Sequence, residues 1–331
     1  MQWLICQLHA NELPLRHLLT HLDGSTSGPR AFSGVIGKEL VACETLPIVS
    51  FSPIDGDLPD MANLKSDLST DQSFLYDMCQ AISKGQCLDE LARRDPGAIS
   101  HSRWLTAANR MLRLYVSTCN PSENLKILVT YIIKVYAPVW FAIKSKSSCK
   151  FGTIHLWQTI LRSRHLSENL KAIVDPVIQR NAYFGHPENI LLCMLGDDRK
   201  HIRELGMRRI LRARSEVYGM RRFVVPLLNF NATDYYDIID WQNTVISELP
   251  LLKGHSQDDI EMFVACRETP AIDFPKYPCH TQAVERCVKL VTESSMAVCG
   301  VKARDGFIRV RLQLRQTMPF LTLNRSTKSV I

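Results

Sequence analysis

HSRWLTAANRMLRLYVSTCNPSENLKILVTYIIKVY, residues 101–136, decides the class of the fold. Trp104, Leu105, Ala108, Met111, Leu112 and Tyr115 recur at three- and four-residue spacing, which is the period of an amphipathic helix. Pro121-Ser122-Glu123 opens a second helix that runs through Tyr136. Working outward, Ser69-Thr70-Asp71-Gln72 has the form of a capping box before LYDMCQAIS, and Asp95-Pro96-Gly97 reads as a turn. Towards the C-terminus, residues 155–196 hold at least two more helices. Gly196-Asp197-Asp198 then breaks the chain before an arginine-rich helix. Between Ser69 and Val217 almost nothing alternates with period two, so this stretch is expected to be all-α.

The flanks read differently. Trp3, Leu4, Ile5, Cys6 and Leu8 look like a buried segment, and Leu8, Leu15, Leu18, Leu19 and Leu22 form a helical stripe, with Pro14 as a point where it is expected to kink or restart. The loop GSTSGPRAFSGVIGK suggests a phosphate loop, but Glu39 stands where the residue after Lys38 would have to be Ser or Thr. LPIVSF (46–51) is β-prone and suits an edge strand, and 53–66 reads as a linker. After Arg222, FVVPLLNF reads as a strand or an extended connector, and a polar segment with Asp234, Asp237, Asp240 and Trp241 follows.

Composition bounds the partners. The 331 residues are 46% hydrophobic and 22% charged, enough for two or three packed units with a sizeable core. A net charge of +7 admits a polyanionic partner without requiring one. No run of 18 apolar residues occurs, and no secretory leader is recognised at the N-terminus. Eleven cysteines without a Cys-x-x-Cys pair argue for free thiols, hence a nuclear or cytoplasmic rather than secreted protein.

Four clusters could carry chemistry. In CHTQAVERCVKLVTESSMAVCGVKARDGFIRVRLQLR (279–315), Val284, Cys287, Val288 and Val291 make one apolar helix face with Glu285 beside it. That carboxylate either stands at the rim of a metal site or pairs with Lys289 one turn on. Residues 199–222, with Arg203, Arg208, Arg209 and Arg212, either line a phosphate backbone or face water. Cys6, His9, His17 and His21 are a weaker alternative as zinc ligands, because four positions along one helix do not converge on an ion. Arg103 and Trp104 set a guanidinium and an indole side by side, for a core or for an unpaired base. No Ser/His/Asp triad, dinucleotide fingerprint or His-Glu-x-x-His motif is present.

Cys6-Gln7-Leu8-His9, Ser102-Arg103-Trp104 and the Glu285-Arg286 pair, in this order, resemble the hAT superfamily of DNA transposases. What the resemblance implies is a mainly α chain with minor β: a helical insertion beside the remnant of a ribonuclease-H-like α/β core. The implied domains are 1–66 (core remnant and loop), 67–222 (all-helical insertion) and 223–331 (C-terminal core helices). Glu285 matches the third catalytic acid, Cys6 and His9 the Cys-x-x-His element, and Arg103 with Trp104 the insertion motif. DNA is the implied partner, with Arg103, Trp104, Arg203, Arg208, Arg209, Arg212, Arg286, Arg304, Arg309 and Arg311 towards it; no membrane role is expected, and a homo-oligomer is admitted. Intact members use Mg²⁺ held by three carboxylates, whereas the two aspartates expected before Cys6 are missing from these 331 residues. The chain therefore reads as the C-terminal portion of a transposase-like protein that binds no cofactor alone. The helix near Thr281 is then expected to pack on residues 3–8. A helical protein-interaction module with no nucleic-acid role is the alternative.

Overall fold

Leu8, Leu15, Leu18 and Leu19 are buried on one face of α1 (Gln7–Asp23), as their spacing predicts. The computed structural model describes residues 6–28, 31–62, 64–99, 104–214 and 226–242, together with 244, 246, 258, 261, 262 and 265. The chain divides into two units, Met1–His280 and Thr281–Ile331, and the described residues all fall in the first.

A two-stranded antiparallel hairpin (β1 Thr26–Gly28, β2 Ala31–Phe32) and the short α2 (Val35–Glu39) follow α1. After an extended segment come α3 (Thr70–Lys84), α4 (Asp89–Ala92), α5 (Trp104–Tyr115) and α6 (Glu123–Tyr131). A π-helical turn (Ile132–Tyr136) joins α6 to α7 (Ala137–Ser145). α8 (Gly152–Ser163), α9 (Glu168–Arg180), α10 (Pro187–Leu195) and α11 (Lys200–Arg214) complete the order. Beyond α11, Leu228 and Ile239 form an isolated antiparallel bridge. The described chain is thus mainly α with minor β. One buried cluster runs from Leu8 to Ile246.

Local signals start the helices where the sequence places them. The Gln72 side chain accepts the Ser69 N–H at 3.2 Å at the head of α3, and Ser122 Oγ accepts the Leu125 N–H at 3.3 Å at the head of α6. Asp95 Oδ1 accepts the Gly97 N–H at 2.8 Å, and Gly97 takes φ of 93°, a value that favours glycine.

α6, the π turn and α7 form one continuous helix of 23 residues at the centre, touching α1, α3, α5 and α8. Pro138 shapes it. Proline has no N–H for the carbonyl of Lys134, and its ring crowds that carbonyl. The backbone responds by widening: the Ala137 N–H reaches five residues back to Ile132 O. Two carbonyls of the widened turn find side chains instead, Lys134 O from Arg162 Nη1 at 3.4 Å and Tyr136 O from Asn11 Nδ2 at 3.0 Å. Tyr131, Trp140 and Phe141 fill the core around it. By length and composition this helix could cross a membrane, a candidate that the search for an unbroken apolar run missed because Lys134 and Thr130 interrupt it. Most of it is buried against the rest of the chain, as core helices are.

The 46–66 region corrects two expectations. LPIVSF forms no strand: it lies extended, with the Val49 N–H on Val116 O at 3.0 Å. Nor is 53–66 a free linker. The Ile54 N–H meets Ile82 O at 3.4 Å, Tyr76 Oη donates to Pro59 O at 3.2 Å and Met61 is buried, while just before the segment Tyr115 Oη donates to Ser52 O at 2.8 Å. Prolines 47, 53 and 59 deny the segment a regular ladder, so helix-borne tyrosines satisfy its carbonyls instead.

Candidate functional site

At the loop before α2, the helix start carries backbone N–H groups that would suit an anion. They are already taken. Asp23 Oδ1 and Oδ2 accept the N–H groups of Ile36 at 2.9 Å and Gly37 at 2.7 Å. A side chain at Gly34 would collide with the Asp23 backbone and carboxyl group. The loop is therefore folded around its own carboxylate, and Lys38 next to Glu39 is exposed on a five-residue helix.

The most deeply placed cations among the described residues are two that share a helix with the apolar stripe of 104–115. Every residue of α5 is buried, Arg110 and Arg113 included. Arg110 Nη1 donates to Leu40 O at 2.7 Å and to Glu44 Oε2 at 2.7 Å, and its Nε donates to Gly97 O at 2.6 Å. Arg113 Nε donates to Ala92 O at 3.0 Å and its Nη2 to Leu46 O at 2.6 Å, while Nη1 meets Ser117 Oγ. Both forks are spent on loop carbonyls, so they clamp residues 40–46 and 92–97 onto α5. Neither faces a ligand. Cys43, beside Arg110, is an inert thiol: burial pushes its pKa up to about 11.

α11 carries the exposed charge. Its start is fixed by Arg199, whose guanidinium pairs with Asp197 at 3.0 Å and Asp234 at 2.5 Å, while Tyr235 Oη donates to Asp197 Oδ2 at 2.6 Å. Arg203 Nη1 donates to the carbonyls of Asp197 at 2.7 Å and Asp198 at 2.8 Å. Arg209 lies over the Trp241 ring at 4.0 Å, donates to Tyr236 O at 3.1 Å and pairs with Asp237 at 3.4 Å. Trp241 Nε1 donates to the same Tyr236 carbonyl at 2.7 Å. Arg208 and Arg212 remain exposed. Of the four arginines of α11 read as DNA contacts, Arg203 contacts the turn before it and Arg209 the 236–241 segment, while Arg208 and Arg212 are the exposed ones. The acids at 234 and 237 were visible in the sequence. Their spacing opposite a basic helix was the signal that they serve as its counter-charges.

The remaining expected site residues separate. Trp104 is 5% exposed and belongs to the core, so its indole offers no face to a base. Cys6 is half-buried, His9 pairs with Glu12 at 3.7 Å, and His17 and His21 are exposed along α1. Among the described residues no three His, Cys, Asp or Glu side chains group as metal ligands, so the Cys6, His9, His17, His21 alternative is not assembled. No described group fits Mg²⁺ either. Cysteines 43, 79, 87, 119, 149 and 193 are free thiols. Arg103, Glu285, Arg286, Arg304, Arg309 and Arg311 lie outside the described residues, as does the expected packing of 284–291 on 3–8.

Acid should loosen this arrangement in two stages. Burial lowers the pKa of His17, His165 and His186 below the ordinary 6.5, with Arg180 and Arg16 adding to the effect at His17. Burial alone would raise Asp197, but hydrogen bonds from Arg199 and Tyr235 outweigh it and hold the carboxyl below 3.8. Each folded-state pKa is depressed, so each contribution is complete above the unfolded value and is lost as pH falls through the folded one. Stability measured by urea unfolding is expected to start declining below about pH 6.5 and to steepen below about pH 4. Asp197→Asn should flatten the lower limb; an unchanged lower limb in that variant would refute the assignment.

No protein-family model matches the chain, and neither a curated protein nor a solved structure does.

Proposed function

We propose that this chain is a transposase-derived, DNA-associated protein, a hAT-like helical insertion beside the remnant of a ribonuclease-H-like core, and that these 331 residues do not cut DNA. The order of the Cys6–His9, Arg103–Trp104 and Glu285–Arg286 motifs supports the ancestry. The observation that carries the association with DNA is the surface of α11, where Arg208 and Arg212 stand exposed next to the Arg209–Trp241 stack. Guanidiniums on one helix make bidentate contacts with phosphate oxygens, and such contacts carry no base specificity. Binding is therefore sequence-indifferent.

Strand cleavage of the hAT kind uses two divalent ions positioned by three carboxylates. This sequence offers Glu285 for the third and nothing acidic before Cys6 for the other two. The purified chain is expected to leave supercoiled plasmid intact in Mg²⁺ or Mn²⁺. Metal-dependent nicking that vanishes in Glu285→Gln would defeat this part of the proposal.

A second reading, a protein-interaction module with no nucleic-acid role, is favoured by Val35 and Val41, exposed at 71% and 60% around α2. Leu46, also exposed, lines a groove together with Lys38, Ala42 and Leu114. An apolar surface of this kind suits a protein partner. Undetectable DNA binding at low salt would favour it over the first.

A further inference from the structure

We propose that the cavity between α1, α8 and α9 is a binding site for one internal water molecule. The cavity measures about 20 Å³, room for a single water. Gln7 and Asn11 of α1, Thr159 of α8 and Asn181 at the end of α9 give it a polar wall, with Ile178 and Phe184 as its apolar side. The site rests on neither functional reading above.

Asn11 carries the argument. It is 3% exposed, and its Nδ2 donates at 3.0 Å to Tyr136 O, in the turn that widens ahead of Pro138. That bond fixes the amide, because the opposite orientation would set oxygen against oxygen. Asn11 Oδ1 is then left as a buried acceptor that no donor of the chain reaches. Leaving such an acceptor unmade costs more than ordering one water does. The rest of the wall supplies the two to four polar partners that an internal water takes. Gln7, one turn before Asn11, is 5% exposed and spends one N–H on Gly152 O at 2.9 Å. Thr159 donates its proton to His155 O at 3.1 Å, and Asn181 gives one N–H to Val177 O at 2.8 Å. Each amide keeps a second N–H, and the threonine oxygen keeps its lone pairs. The water therefore donates to Asn11 Oδ1 and Thr159 Oγ1 and accepts from an amide N–H. Apolar cavities stay dry, but four polar side chains on this wall decide for a wet one. The consequence reaches the central helix. With Oδ1 satisfied, the Asn11 amide is held towards the Tyr136 carbonyl, and the two hydrogen bonds strengthen each other.

The test is ¹⁷O magnetic relaxation dispersion of water in a solution of the full chain, which counts the waters that tumble with the protein and is blind to exchanging hydroxyl protons. Asn11→Leu removes the orphan acceptor, and the amplitude should fall by about one water. Because that change also strands the Tyr136 carbonyl, Thr159→Val is measured beside it. It keeps the shape of the cavity and removes only the hydroxyl, and it too should lose about one long-lived water. Arg93→Ala, at an exposed position remote from the cavity wall, should leave the amplitude where it is in the parent chain. A folded Thr159→Val with the parent's amplitude would overturn the site, whatever becomes of Asn11→Leu. An equal fall in Arg93→Ala would overturn it as well, since the loss would then report general loosening rather than this cavity.

Discussion

Arg110→Ala is expected to remove about 3–5 kcal/mol of folding stability, a large share of what a domain of this kind has. The Arg110 side chain is only 7% exposed, and its fork is shared between the carbonyls of Leu40 and Gly97 and the carboxylate of Glu44. Truncation leaves those carbonyls under cover without a donor, and stranded buried acceptors cost more than a hydrogen bond gains. Glu44 itself is 37% exposed, so water replaces part of its lost partner and most of the penalty falls on the carbonyls. Arg93 provides the contrast: its pair with Asp89 spans 4.0 Å with both side chains about four-fifths exposed. Arg93→Ala should be indistinguishable from the parent chain. Urea unfolding of the two variants decides the matter, and an Arg110→Ala loss below about 1 kcal/mol would contradict the clamp.

Trp104→Ala should be nearly as damaging, at about 3–5 kcal/mol, because it empties a large buried volume at the head of α5. The indole is 5% exposed, and its Nε1–H has no acceptor among the described residues. Trp104→Phe therefore loses ring volume but no hydrogen bond, and should cost far less than the alanine variant. The functional consequence is sharper. If Trp104 is core, the phenylalanine variant binds DNA as tightly as the parent; a tenfold loss of affinity in a folded Trp104→Phe would return the indole to the interface.

The helices were legible because their signals are local. The Ser69–Gln72 capping box, the serine before Glu123 and the leucine stripe of α1 each act within a few residues, and each forms where it was expected. What escaped depends on distant partners. The apolar stripe of α5 was legible, but nothing local reveals that residues 40–46 and 92–97 close over Arg110 and Arg113 on the same helix. Pro138 was visible, but continuation of the helix through it required donors from Asn11 and Arg162, far away in sequence. The extended 46–51 segment had the residue types of a strand and no strand to pair with among the described residues. In the candidate site, basic residues were easily found, yet sorting them into Arg203 and Arg209, turned to their own carbonyls and acids, and Arg208 and Arg212, turned outward, needed the 226–242 segment in place.

The association with DNA is tested most directly by the salt dependence of binding to a duplex of arbitrary sequence. Each phosphate neutralised releases counterion, so the logarithm of the binding constant falls with the logarithm of salt at about 0.9 per contact. About two contacts, the number the exposed Arg208 and Arg212 could supply, predict a loss of about tenfold between 50 and 200 mM salt. Exchanging Arg208 and Arg212 for alanine should make the slope shallower by roughly two contacts. Binding that is absent at 50 mM salt, or that holds constant as salt rises, would contradict the account.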